Sequence, residues 1–322
     1  MTEKNPNDDR RILWTHNFPK IPGGGGVWMY NQYEFVKDKV DLYYMNDLRN
    51  PIWFILHLFR LRRISKKYDI VHAQYGSAVG FLTSFAKAIR IVSLKGSDWY
   101  KAPGRSIFDR LRIFLGSTLT KFALLRSNHV IVMSDAMRSM VVKKFPETRI
   151  TTIVDPIDIK NFVATPENRQ RPVKRVLFAS STLHNPIKRF SLAKKAVSHL
   201  QKRMENVELV VMTKVPYDKV SEFMNATDVL LLTSTHEGWP NVVKEMLALD
   251  KPFVSTDVSD LAAVASKTNS CYVCTDDFKE LGDALFKSLN APKEDLRYLV
   301  EAYSMESALS TLYKVYDQYS RP

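Results

Sequence analysis

Two glutamates eight residues apart, Glu237 and Glu245, frame the stretch of this chain best suited to hold a ligand. They lie in residues 228–250, DVLLLTSTHEGWPNVVKEMLALD. The apolar run 229–232 has the length of a buried parallel strand, and Thr233, Ser234 and Thr235 open a polar loop. Pro240 suits the first position of a helix, where a missing N–H costs nothing. Val242, Met246 and Leu249 recur at helical spacing beside Val243 and Leu247, so one face should pack on a sheet. Asn241, Glu245 and Ala248 share another face. Glu237 is then expected beyond the carboxyl end of a parallel strand, where open α/β sheets bind ligands, and Glu245 about two helical turns further on. The free N–H groups at the helix start suit an anion such as a phosphate. The two glutamates read equally well as solvated surface acids, as most are.

Other residues add to the set. Four glycines, Gly23, Gly24, Gly25 and Gly26, stand between an expected first strand, 11–15, and a helix from Val27. Backbone without side chains can approach a ligand closely, although the run also serves as a plain turn. It is not G-x-G-x-x-G, so no dinucleotide fingerprint is present. Lys188 precedes a helix in SSTLHNPIKRF and offers either a hydrated point charge for a phosphate or a solvated helix start. Lys95, in RIVSLKGSDWY, could stabilise negative charge on a leaving phosphate or be an exposed loop lysine. Cys271 and Cys274 form a single C-x-x-C; without a second pair they read as strand residues in a reducing cytoplasm.

The elements that must position these groups alternate along the whole chain. Strands are expected at 11–15, 69–75, in the segment 90–100 and at 129–134, then at 175–179, 207–212, 229–232, 252–256 and 271–275. Helices are expected from Val27, over 50–67, 105–126 and from Ser134, then over 190–203, near 217–224, after Pro240 and at the C-terminus. Such alternation in both halves argues for two parallel-sheet α/β domains. Pro156, Pro166 and Pro172 punctuate a polar stretch that marks the boundary.

Glu237-Gly238-Trp239-Pro240-Asn241, with Glu245 completing E-x7-E, resembles the motif of the retaining glycosyltransferases of family 4, glycosyl transferases group 1. The resemblance extends over nearly the whole chain. It implies the GT-B fold: two Rossmann-like domains facing across a cleft, with a C-terminal helix that returns to the first. The domains would be 1–155 with 304–322, and 156–303. The glycine run resembles the family loop near the donor diphosphate and the acceptor. Lys95-Gly96-Ser97-Asp98 resembles an H-G-x-D loop with Lys95 in place of His, and residues 150–162 resemble an I-P-N-G-V-D linker with Asp155-Pro156 in place of Asn-Gly. Lys188 matches a diphosphate-binding lysine, whereas Thr182 stands where an arginine is usual, so Arg189 or another base would substitute.

By that resemblance Glu245 would hold ribose hydroxyls, and Lys188 with the helix start at Asn241 the diphosphate. Glu237 would contact the sugar ring. Gly25, Gly26, Arg189, Gly238, Trp239, Pro240 and Val242 complete the donor side, and His16, Gly23, Gly24 and Asp98 the acceptor side. Glu237, Lys95 and Lys188 are the catalytic candidates. The implied reaction is metal-independent transfer of a hexose with retention, from a UDP-sugar first or a GDP-sugar second, with no cofactor. Another GT-B nucleotide-sugar enzyme, epimerase-like, is the alternative within the fold.

Composition narrows the partner. With 322 residues, 45% hydrophobic and 25% charged, the chain is long enough for two cores. Residues 1–150 hold 25 Lys and Arg against 12 Asp and Glu, whereas 151–322 hold 22 of each, so the net charge of +13 lies in the first half. Such asymmetry points to an anionic partner. No nucleic-acid-binding signature accompanies it, which makes a basic nucleic-acid-binding protein the weaker rival. The expected acceptor is an anionic or lipid-linked saccharide for cell-surface polysaccharide or glycolipid. The segment 50–67 combines Trp53, Phe54, Leu56, Leu58 and Phe59 with Arg60, Arg62, Arg63, Lys66 and Lys67. It reads as an ordinary sheet-covering helix or one suited to an anionic bilayer, with Arg110, Arg112 and Lys121 adding a second basic helix. No span or signal segment is evident, so the expected location is cytoplasmic, peripheral at most on the inner face of the membrane.

Overall fold

The computed structural model describes residues 10–20, 26–100, 107–165 and 172–319. The chain divides into two compact units, one of Met1–Met133, Arg138–Ile153 and Leu309–Pro322, the other of Ser134–Met137 and Val154–Ala308.

Short apolar runs build the first sheet, because a strand covered on both faces has no side to leave polar. β1 (Ile12–His16), β3 (Ile70–Ala73) and β5 (His129–Val132) are buried at every position. With β2 (Val40–Tyr44), β4 (Ile89–Ser93) and β6 (Ile150–Thr152) they form a parallel sheet in the order β2-β1-β3-β4-β5-β6. α1 (Val27–Glu34), α2 (Pro51–Ile64), α3 (Ser77–Thr83), α4 (Ile107–Arg126) and α5 (Asp135–Lys144) supply the connections. Ser134 starts α5, its hydroxyl accepting from Met137 N–H at 3.1 Å.

The second sheet is also parallel, in the order β11-β10-β9-β7-β8, from β7 (Lys174–Ala179), β8 (Val207–Met212), β9 (Val229–Leu232), β10 (Phe253–Thr256) and β11 (Tyr272–Cys274). α6 (Phe190–Gln201), α7 (Tyr217–Asn225), α8 (Asn241–Ala248), α9 (Leu261–Ala265) and α10 (Phe278–Asn290) connect and cover it. Its core joins Phe178, Val197, Leu200, Leu231 and Leu285. Cys271 and Cys274 are buried free thiols at the β11 edge.

α11 (Met305–Asp317) starts in the second unit and from Leu309 belongs to the first. There Tyr316 is fully buried: its hydroxyl accepts from Trp14 Nε1 at 2.9 Å and gives its proton to His72 Nδ1 at 2.7 Å. His72 Nε2 is 2.8 Å from Ser93 Oγ. The C-terminal return expected from the sequence is thus a set of core contacts.

Some expectations shift. The strand β2 had no counterpart in the sequence reading, and residues 150–152 begin not a linker but β6. Pro240 caps α8 in an extended conformation, so the helix opens one residue later, at Asn241. α8 buries Val243, Lys244, Met246, Leu247 and Ala248, while Val242 is half-buried. Among the described residues no helix is long and apolar enough to cross a membrane.

Candidate functional site

In each sheet the chain leaves one strand in both directions. The second sheet does so at β7, which has β8 on one side and β9 on the other. The loops beyond the carboxyl ends of β7 and β9 therefore border the switch point, where open α/β sheets bind ligands. Hydrogen bonds lace the two loops together. Thr233 Oγ1 donates to Lys188 O at 2.7 Å, and Thr235 N–H to Ile187 O at 2.9 Å. Arg189 heads α6 in the left-handed region, φ 50°, and donates to Thr233 O at 2.6 Å and Ser234 O at 3.0 Å. It also pairs with Asp276 at 2.5 Å.

That network corrects the expected substitution at the diphosphate. Arg189 spends its donors on two backbone carbonyls and a carboxylate, so it fastens the loops instead of standing in for the missing arginine. Thr182 contributes only its main chain and hydroxyl to the turn, its carbonyl accepting from Ser180 Oγ at 2.7 Å. The cation next to the loop is Lys188, whose Nζ donates to Glu237 Oε1 at 2.5 Å. Ser234 Oγ donates to the same oxygen at 2.6 Å. Glu237 is thereby neutralised and aimed.

Beyond Glu237, Gly238 O accepts from Ser259 Oγ at 2.6 Å. Trp239 is buried with its ring 4.9 Å from that of Tyr303, and Lys244 is fully buried with its ammonium donating to Asp155 O. Trp239 Nε1 and Asn241 Oδ1 are buried without a partner among the described residues. Such groups cost about 1–3 kcal/mol each, so the loop is not satisfied by its own hydrogen bonds. No side chain caps α8, which leaves its first N–H groups open to an anion.

Glu245 is the opposite of Glu237. It is half-buried on α8 and has no hydrogen-bond partner among the described residues. Burial raises its carboxyl pKa to about 7, against a smaller lowering by Lys244. Beside it, the Tyr217 phenol is raised to about 12, mainly by burial and then by the charge of Glu245. A carboxylate held out of water with no donor fits the hydroxyls of a ligand.

The first unit has its switch at β1, between β2 and β3. Thr15 pairs with Ala73 in register, so His16 and Gln74 follow side by side at the carboxyl ends. His16 Nδ1, Asn17 Oδ1 and Gln74 Nε2 are all buried and unpartnered among the described residues. The rings of Tyr30 and Tyr44 lie 5.6 and 5.4 Å from that of His16, and burial lowers its pKa to about 4, so the imidazole is neutral. Gln74 and Asn17 were not legible as site residues, since strand order decides that they meet.

Gly26 precedes α1 at φ 88°, and its carbonyl accepts from Met29 and Tyr30 N–H. Gly23, Gly24 and Gly25 lie outside the described residues. Lys95 is half-buried, its Nζ 4.1 Å from the Trp28 ring centroid and 3.8 Å from Met133 sulfur. Trp28 thus fixes a cation that the sequence left loose. Asp98, expected on the acceptor side, is tied to backbone: its Oδ2 accepts from Gly76 N–H at 2.7 Å and its Oδ1 from Lys95 and Gly96 N–H at 2.9 and 3.0 Å. Buried and bonded to backbone, it shapes the 95–98 loop.

Comparisons with known proteins agree with these two halves. Residues 22–161 match the family model described as Glycosyltransferase Family 4, and residues 211–291 that described as Glycosyl transferases group 1. No curated protein matches the sequence. Among solved structures, HepE of Anabaena in complex with UDP and glucose has a TM-score of 0.72 at 15% identity, covering 96% of this chain and 99% of that one. Sucrose-phosphate synthase from Thermosynechococcus elongatus gives 0.72 at 13%, with 96% and 98% covered. The lipopolysaccharide outer core galactosyltransferase WaaB, in apo form, gives 0.69 at 12%, with 96% and 99% covered. At these identities the likeness is one of fold, the two parallel-sheet GT-B architecture.

Proposed function

The chain belongs to the group 1 glycosyltransferases, and on that premise we propose that it moves a hexose, with retention, from a nucleotide-sugar to an acidic or lipid-linked saccharide. A UDP-sugar is the first choice of donor and a GDP-sugar the second. The second unit holds the donor. Glu245 carries this reading: a half-buried carboxylate without a hydrogen-bond donor is matched by a pair of ribose hydroxyls. Lys188 and the uncapped start of α8 hold the diphosphate, and Glu237, once its cation turns to the phosphates, meets the sugar. Catalysis then consists of positioning and of stabilising the departing diphosphate. The UDP bound by HepE, which shares the fold, supports the order of donor choice.

The acceptor falls to the first unit. Its basic excess suits an acidic saccharide, and the unpartnered polar atoms of His16, Asn17 and Gln74 at its switch point suit hydroxyl groups.

Thermal unfolding in the presence of UDP, GDP and ADP tests the donor site. A ligand at 100 times its Kd stabilises by about 2.7 kcal/mol. UDP should raise the melting temperature by several degrees, and Glu245→Ala should weaken its binding about 10- to 100-fold, as loss of hydrogen bonds to a charged group does. No response to any nucleotide at millimolar concentration would sink the donor assignment.

A further inference from the structure

Two helices of the first unit carry a second apolar face. α2 buries His57 and Leu61 and packs Phe54 and Leu58 beside them. At about 100° per residue, Ile52, Ile55, Leu56 and Phe59 fall on the opposite side, and all are exposed, Phe59 by 66%. α4 repeats the arrangement. It buries Thr120, Ala123 and Leu124, while Ile107, Phe108, Leu111, Phe114 and Leu115 point the other way, Phe108 with 83% of its surface exposed.

The two outward faces lie in one layer. Phe54 of α2 stacks on Phe81 of α3 at 5.8 Å, and Phe122 of α4 lies 5.0 Å from Phe81 and 5.7 Å from Phe85. With both helices packed against α3, both stripes face away from the sheet. Single exposed apolar residues are ordinary; two stripes of large ones on adjacent elements mark an interaction surface.

Charge selects the occupant. α2 and the turn after it carry Arg60, Arg62, Arg63, Lys66 and Lys67 with no acid. α4 carries Arg110, Arg112, Lys121 and Arg126, and its one acid, Asp109, lies 3.9 Å from Arg112 on the packed side. By helical angle, Arg110 and Lys121 border one edge of the α4 stripe and Arg112 and Arg126 the other. A second copy docked on this face would oppose base to base. An anionic bilayer accepts both features, apolar side chains at the acyl boundary and cations at the head groups.

We propose that the outer faces of α2 and α4 dock the protein on an anionic lipid bilayer. The proposal rests on these helices alone and stands apart from the donor site. Sedimentation of the full chain with vesicles tests it, using phosphatidylcholine alone and with about 30% phosphatidylglycerol, at low salt. The protein should pellet with the anionic vesicles and stay in solution with the neutral ones. Combined Phe108→Ser, Leu111→Ser and Phe114→Ser should weaken that binding at least tenfold, as should Arg62→Glu with Arg63→Glu. All five residues lie on exposed faces, so circular dichroism and melting temperature should not change. Two results would overturn the proposal: no preference for anionic vesicles, or binding untouched by the triple serine variant. Variants that abolish self-association by light scattering but leave vesicle binding intact would give the face to a second copy instead.

Discussion

The two glutamates of the E-x7-E stretch differ in what surrounds them, and that difference has a pH signature. Glu237 already has Lys188 at 2.5 Å, whereas Glu245 is raised to about 7 by burial. Because its folded pKa lies above the ordinary carboxylate value, Glu245 makes the ligand-free protein less stable as pH climbs from about 4.5 to about 7, and no further above that. Ribose hydroxyls donate to the ionised form, so binding should strengthen over the same range. Calorimetry with UDP-glucose, whose diphosphate diester loses no proton there, should show Kd falling about tenfold per pH unit below 7 and levelling above. Glu245→Gln should bind more weakly with that slope removed; a wild-type Kd that is flat across pH 6–8 would detach Glu245 from the nucleotide. These glutamates were legible in the sequence because strand, loop and helix follow one another without interruption. His16, Asn17 and Gln74 were not, since parallel pairing of β1 with β3 brings Gln74 to residues almost sixty positions earlier. The loop-shaping role of Asp98 was not legible either, because a carboxylate bonded to three backbone amides looks in sequence like any loop acid.

At the level of elements, the strands read from the sequence were runs dominated by apolar residues, whether buried at every position as β1, β3, β5 and β9 are or at a sheet edge as β8 is. β2, VDLYY, is an edge strand with half-exposed tyrosines, and β6 is three half-buried residues, so neither has that signature. α2 was readable as amphipathic, but which apolar residues faced the sheet was not, because it has two apolar faces and only contacts tell them apart. The turn into α1 is sharper. Gly26 holds φ 88°, and a Cβ there would stand 2.4 Å from Phe18 Cβ. Phe18 is itself fixed by the rings of Trp28 and Tyr75 at 5.4 and 5.7 Å and by Tyr30 Oη, which donates to its carbonyl at 2.7 Å. Gly26→Ala must therefore displace Phe18 and strain the backbone, at about 2–4 kcal/mol. The melting temperature of the first unit should fall by about 5–10 °C, measured by calorimetry.

For the molecule as a whole, α11 carries the chain from the second unit back to the first. From Leu309 the helix belongs to the first unit, so the stability of that unit depends on residues more than 150 positions from its other segments. Tyr316 concentrates that dependence. Its hydroxyl serves both Trp14 Nε1–H, which can only donate, and His72 Nδ1, whose buried imidazole is held neutral by desolvation. Arg10 with Asp317 at 2.5 Å, and Tyr319 Oη donating to Asn128 O at 2.8 Å, fasten the same segment from outside the core. Tyr316→Phe keeps the ring and leaves the indole N–H without an acceptor, at about 1–3 kcal/mol. For a unit of this size that is about 3–8 °C. The second unit has its own sheet and core and contains the residues assigned to the donor. Calorimetry with and without UDP should thus separate the two: the substitution lowers one transition, UDP raises the other, and neither shift alters its neighbour by more than about a degree. If the substitution and the nucleotide move a single transition together, the two units unfold as one cooperative body, and binding in the second would help hold the last helix of the first in place.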